Sequence, residues 1–179
     1  YMTYPADAPL QDRLAESILQ TLIEVGPRTL AEPRDYEPRA SFMWSATPAL
    51  NTLIGCGVPP DWSTHMIGHE LTALYGPDHA ETLAVVLPGV WAHQLAKKEA
   101  KLRQYGQRVW GVSTTEAAIA KTEDFFHSLN MPTRLSDYQI NANEAADAVC
   151  RRFTERDVHF GARAPIDGPA AAAILRFRP

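Results

Sequence analysis

The 179 residues carry 17 Lys and Arg against 21 Asp and Glu, a formal net charge of −4, with 45% apolar and 21% charged side chains. These are the proportions of an ordinary globular chain with one core, and a chain of this size buries roughly 70% of its unfolded surface. The acidic balance argues against a nucleic-acid partner, which needs clustered Lys and Arg, and no apolar run reaches the length of a membrane span.

The opening residues do not read as a leader sequence. Cys56 and Cys150 have neither disulfide nor zinc spacing; they read as buried structural thiols in a reducing, cytoplasmic setting. A first helix is expected from Pro9 to Val25, with Leu10, Leu14, Ile18, Leu22 and Val25 at helical spacing and Gly26-Pro27 as its stop. A second begins near Glu37-Pro38 and runs toward Ile54, with Pro48 as a kink. Gly55-Cys56-Gly57 lacks the preceding strand and third glycine of a nucleotide loop, and reads as a helix end and turn. A third helix follows Pro59-Pro60 and stops at Tyr75-Gly76-Pro77.

Capping boxes at Asp78/Glu81, Ser113/Glu116 and Asn141/Glu144 open helices over about 79–87, 114–129 and 142–155. Between the first two, Leu95, Leu102, Tyr105 and Val109 mark an amphipathic helix interrupted at Gly106. Within it, Lys97-Lys98-Glu99-Ala100-Lys101 reads as a solvated face. A last helix starts at Pro169 and uses the Ala170–Ala173 run. No segment shows sustained strand alternation. The expectation is one all-α domain of seven to nine helices spanning residues 1–179.

Three of the six histidines, His65, His69 and His79, lie within 15 residues. His65 and His69 are i and i+4, so a helix places them on one face about 5–6 Å apart at Cβ. Gly68 between them admits a close neighbour, and a reversal at Gly76-Pro77 can return His79 to the same place. Neutral imidazoles so grouped suit zinc or iron; a solvated helix face or hydrogen-bonded core histidines are the competing reading. A metalloprotease pattern fails, because the position four after His69 is Ala73. His93, and His127 at a helix end where imidazolium suits the dipole, carry no such pattern. Trp44, Trp62, Trp91 and Trp110 read as core or interface, with Trp62 placed to line the same cavity as His65.

The stretch DWSTHMIGHELTALYGPDHAETLAVVLP, residues 61–88, resembles the signature of the iron-containing (group III) alcohol dehydrogenases. The likeness is greatest to the branch of NADPH-dependent aldehyde reductases and butanol dehydrogenases. Flanking stretches at residues 4–27, 43–62, 108–113 and 132–138 agree, so the likeness spans essentially the whole chain. It departs from the family pattern at Ala80, where many members have Gly, and at Pro48.

The resemblance implies the multi-helix C-terminal half of the dehydroquinate synthase-like fold, with the N-terminal nucleotide-binding domain absent from this sequence. It makes His65 and His79 ligands of Fe2+ or Zn2+, in place of the His65/His69 pair that spacing alone favours. His69 becomes the catalytic residue that positions substrate or relays a proton. The family's other two ligands, an Asp and a His four residues later, and its pyrophosphate loop fall upstream of Tyr1. The intact subunit is then expected to reduce aldehydes and oxidise primary alcohols with NADP(H), as a possible homo-oligomer. These 179 residues are expected to be an inactive portion of it, with an incomplete metal site. A different class, a non-enzymatic helical binding or oligomerisation module, keeps the same fold without the chemistry.

Overall fold

A computed structural model describes residues 1–2, 7–162 and 166–179. Among the described residues eight α-helices follow one another: α1 (Pro9–Ala31), α2 (Tyr36–Leu50), α3 (Ser63–Tyr75), α4 (His79–His93), α5 (Leu95–Tyr105), α6 (Thr115–Ser128), α7 (Ala142–Glu155) and α8 (Gly168–Arg176). A π-helical turn, Gly106–Trp110, continues α5. Extended pairing among the described residues is limited to an isolated bridge between Phe160 and Ile166. The all-α expectation holds.

The described residues fall into two compact units, one of residues 1–59 and 99–121, the other of 60–98 and 122–179. In the first, α1 packs on α2, and buried carboxylates of α1 meet cations on the chain from Glu99 onward. Asp12 pairs with Lys101, and Glu16 takes Arg108 at 3.1 Å. Gln104 donates to both carboxylates. Burial works against the Asp12 carboxylate, but Lys101 and Gln104 outweigh it and hold its pKa below the usual Asp value.

The second unit holds the larger apolar core. Ile67 and Leu71 of α3, Val85, Val86 and Val90 of α4, Val149 and Phe153 of α7, and Ile174 and Leu175 of α8 close on one another. The expected alanine helix, α8, is capped by Asp167, which accepts from the Ala170 N–H. It lies so close to α7 that a Cβ on Gly168 would stand 2.6 Å from the Cys150 carbonyl oxygen.

Several boundaries and exposures differ from expectation. Helix α1 runs through Gly26-Pro27 to Ala31; Pro27 lies on the exposed side, where water can take the place of a missing backbone partner. Helix α4 continues past Leu87 through Pro88 and Gly89. A Cβ on Gly89 would meet the Ile174 carbonyl oxygen at 3.0 Å, so this glycine serves packing. Thr114, in place of Ser113, accepts the Ala117 N–H at the start of α6.

The lysine run is not a solvated face. Lys98 is 1% exposed and donates to Asp61 at 2.8 Å, and Lys101 is buried on Asp12. Each ammonium group meets a carboxylate within its own unit. Cys56 is exposed, because its short turn carries little to cover it. Trp91 is in the core, whereas Trp44 is 74% exposed and Trp62 51%.

Candidate metal centre

The site belongs to α3 and α4 of the second unit. Helix α3 starts without a side-chain cap from Trp62; instead Asp61 accepts the Ser63 N–H at 3.0 Å. The other Asp61 oxygen holds Lys98, and its backbone carbonyl accepts from the Gly161 N–H at 3.1 Å. Burial raises the Asp61 pKa, and the Lys98 and Ser63 bonds more than reverse this, leaving it low. The start of α3 is therefore held at three points. Farther along, buried Glu70 is gripped by Arg152 of α7 and by Arg156, the residue that follows that helix. These two anchors set the rotation of α3 and with it the direction in which His65 and His69 point.

The reversal into α4 uses residues suited to it. Gly76 takes a positive φ of 88° and donates its N–H to the Thr72 carbonyl. Asp78 then opens α4 with a capping box, its N–H bound to Glu81 Oε2 at 2.7 Å. His79 is thereby the first residue of α4 and returns to the α3 face. The ring centroids of His65 and His79 stand 5.4 Å apart, those of His69 and His79 4.9 Å, and those of His65 and His69 6.2 Å.

The helices can approach this closely because of Gly68. A Cβ there would stand 3.0 Å from Thr82 Oγ1 and 3.3 Å from Leu83 Cδ2. Thr82 in turn donates to the His79 carbonyl at 2.9 Å and lies 3.4 Å from Thr72 Oγ1. The role of Thr72 and Thr82 is not apparent from sequence, although Thr82 sits three residues after His79, one helical turn along the same side.

Half-buried His65 has its pKa lowered, first by burial and then by the other two imidazoles, so its ring stays neutral and keeps a lone pair for a metal or proton. His69 and His79 are exposed. Trp62 meets the His65 ring edge-on, with centroids 5.1 Å apart and planes at 73°. Among the described residues no set of three or more His, Cys, Asp or Glu side chains is arranged to hold a metal ion. The imidazoles form an open cluster of nitrogen donors, in chemistry suited to one side of an iron or zinc site.

The model of the Fe-containing alcohol dehydrogenase family, C-terminal, matches residues 1–174, and the chain belongs to that family.

Among its relatives, the NADPH-dependent aldehyde reductase YqhD of Escherichia coli (strain K12) is 55% identical over 149 residues. That match takes in 80% of this chain and 38% of the relative. NADP-dependent alcohol dehydrogenase 3 of Entamoeba histolytica is 39% identical over 169 residues, 93% of this chain and 43% of the relative. A substrate- and cofactor-free structure of the E. coli aldehyde reductase superposes with a TM-score of 0.94 at 47% identity, covering 99% of this chain and 48% of that one. NADH-dependent butanol dehydrogenase A of Thermotoga maritima shares the fold, with a TM-score of 0.90 at 24% identity and 99% and 48% of the two chains covered. The chain thus spans less than half the length of these relatives.

Proposed function

We propose that this chain is the metal-binding half of an NAD(P)H-dependent alcohol dehydrogenase or aldehyde reductase that acts in the cytoplasm. The convergence of His65, His69 and His79 across the α3–α4 reversal carries this reading, and family membership supports it. His65 and His79 are the residues that would hold Fe2+ or Zn2+ from the helical side, with further ligands supplied from outside these 179 residues. When bound, such a metal supplies Lewis-acid polarisation of a carbonyl oxygen, and a nicotinamide cofactor supplies hydride.

The chain's own residues then have three tasks. His65, kept neutral by burial, offers a ring nitrogen without first losing a proton. His79, fixed at the first turn of α4 by its carbonyl bond to Thr82, offers the second. His69, exposed and 4.9 Å from the His79 ring, orients the aldehyde or passes a proton to the oxygen that becomes the alcohol. The small aldehyde substrate and the dinucleotide both need the other half of the subunit.

Zn2+ or Co2+ titration of the chelator-washed chain tests the metal assignment. Binding is expected to be weak, because two imidazoles do not close a site. It should be lost in His65→Ala and His79→Ala and retained in His69→Ala. Binding that survives both ligand substitutions overturns the assignment. The isolated chain is expected to show no NADPH-dependent reduction of butyraldehyde; clear turnover by it contradicts the view that catalysis needs the second half.

A further inference from the structure

Trp62 is an unusual residue for its place. It takes the left-handed backbone conformation, φ 58° and ψ −4°, at the start of α3. Bulky side chains avoid that region, which Gly and Asn enter most easily. Neither of the ordinary reasons for keeping tryptophan there applies. Its side chain does not cap the helix, since Asp61 accepts the Ser63 N–H instead. Nor is it a core residue, since half of it is exposed while the apolar cluster of the unit closes without it. Its ring contact is with His65, edge-on at 5.1 Å.

The surrounding bonds explain how this conformation persists. Asp61, the residue before, is tied through both carboxylate oxygens and its carbonyl to Ser63, Lys98 and Gly161. The Trp62 carbonyl accepts from the Met66 N–H, which starts the helix ladder. The backbone on either side is thus over-determined, and the indole is held against the imidazole.

We propose that Trp62 is the positioning residue of the metal centre: its indole restricts the His65 ring to the orientation in which it ligates. This inference rests on the metal assignment made above. A ring already held in place loses less freedom when a metal binds. Aromatic pairs of this geometry correspond to about a 3- to 10-fold change in an equilibrium constant.

The test is Co2+ binding to the chelator-washed 179-residue chain, followed by visible absorption and by tryptophan fluorescence. Trp62→Asn removes the ring but keeps a residue that tolerates the left-handed turn. It should weaken Co2+ binding about 3- to 10-fold, with little change in thermal midpoint. Trp62→Phe, which restores an aromatic edge, should bind within about twofold of the parent. Bound Co2+ should quench the parent's fluorescence, and most of that quench should disappear in Trp62→Phe. This readout holds whether or not Trp62→Asn folds.

A folded Trp62→Asn that binds Co2+ as tightly as the parent, or a quench that persists in Trp62→Phe, overturns the inference and leaves the metal assignment standing. Failure of the parent chain to bind Co2+ removes both the assignment and the inference.

Discussion

Helices α2 and α4 are each 15 residues long and rich in apolar side chains, yet they are used in opposite ways. Helix α4 buries eight residues between Thr82 and Trp91, and that burial seats His79 at its first turn. Helix α2 buries only Pro38 and Ser45, while Tyr36, Met43, Trp44 and Leu50 stand largely exposed. Apolar content alone therefore does not tell which helix builds a core. What separates them is the distribution around the axis and the presence of partners that close on it. Extended exposed apolar surface of the α2 kind is unusual for a protein acting alone.

The sharpest way to break this contrast is to truncate one leucine on each side. Leu71→Ala, in the core under the site and 1% exposed, should cost about 2–5 kcal/mol in urea unfolding. Leu50→Ala should cost less than about 0.5 kcal/mol. Equal losses would mean that α2 is as much part of the folded core as α3 and α4.

Gly68→Ala tests whether close packing also sets the site. The new methyl meets Thr82 Oγ1 and Leu83 Cδ2, and overpacking of this kind should cost about 1–3 kcal/mol. It should also weaken Zn2+ binding, by moving His79 away from His65. Pairing it with Thr82→Ala should recover much of both. Stability loss without any change in metal binding would separate the packing from the site.

A smaller effect should follow acid. In Asp61 and Glu123 burial opposes ionisation, but bonds to Lys98 and Arg178 respectively prevail and hold both carboxyls below their ordinary values of 3.8 and 4.5. Above those values folded and unfolded chains are both ionised, and the stabilisation is present in full. As pH falls below them the unfolded chain takes up protons first, so this stability is lost down through the lowered folded values. Urea midpoints should therefore drop most steeply below about pH 4, and Glu123→Gln should flatten that decline. The smallest change belongs to α2: Trp44→Ser should shift stability by no more than about 0.5 kcal/mol in either direction.

Much of the helical outline is legible in the residues. The capping box at Asp78 and the side-chain cap at Asn141 are present as their spacing implies, because a side-chain cap is a local interaction needing only three or four residues. The expected stops at Gly26-Pro27 and at Leu87 differ from the observed ends of α1 and α4 for the same reason in reverse. Whether a proline or glycine ends a helix depends on what packs against it, and Gly89 packs against α8, some 80 residues away in sequence. The lysine run reads as a solvated face, although Lys98 and Lys101 are buried, because their partners, Asp61 and Asp12, are equally remote. At the site, the type and spacing of the histidines pointed to imidazole chemistry, and the family signature named its members.

The sequence by itself determined the all-α class, most helix starts, the family and the three imidazoles, since these rest on local spacing and residue type. Only the tertiary structure decided that the His79 ring comes within 4.9 Å of His69 and that Gly68 and Thr82 allow it. Tertiary structure likewise decided that Trp62 turns its ring onto His65 in a backbone conformation tryptophan rarely takes. Those facts depend on how closely two helices approach and on contacts that hold a strained residue in place, and neither is encoded in the spacing of residues along one chain.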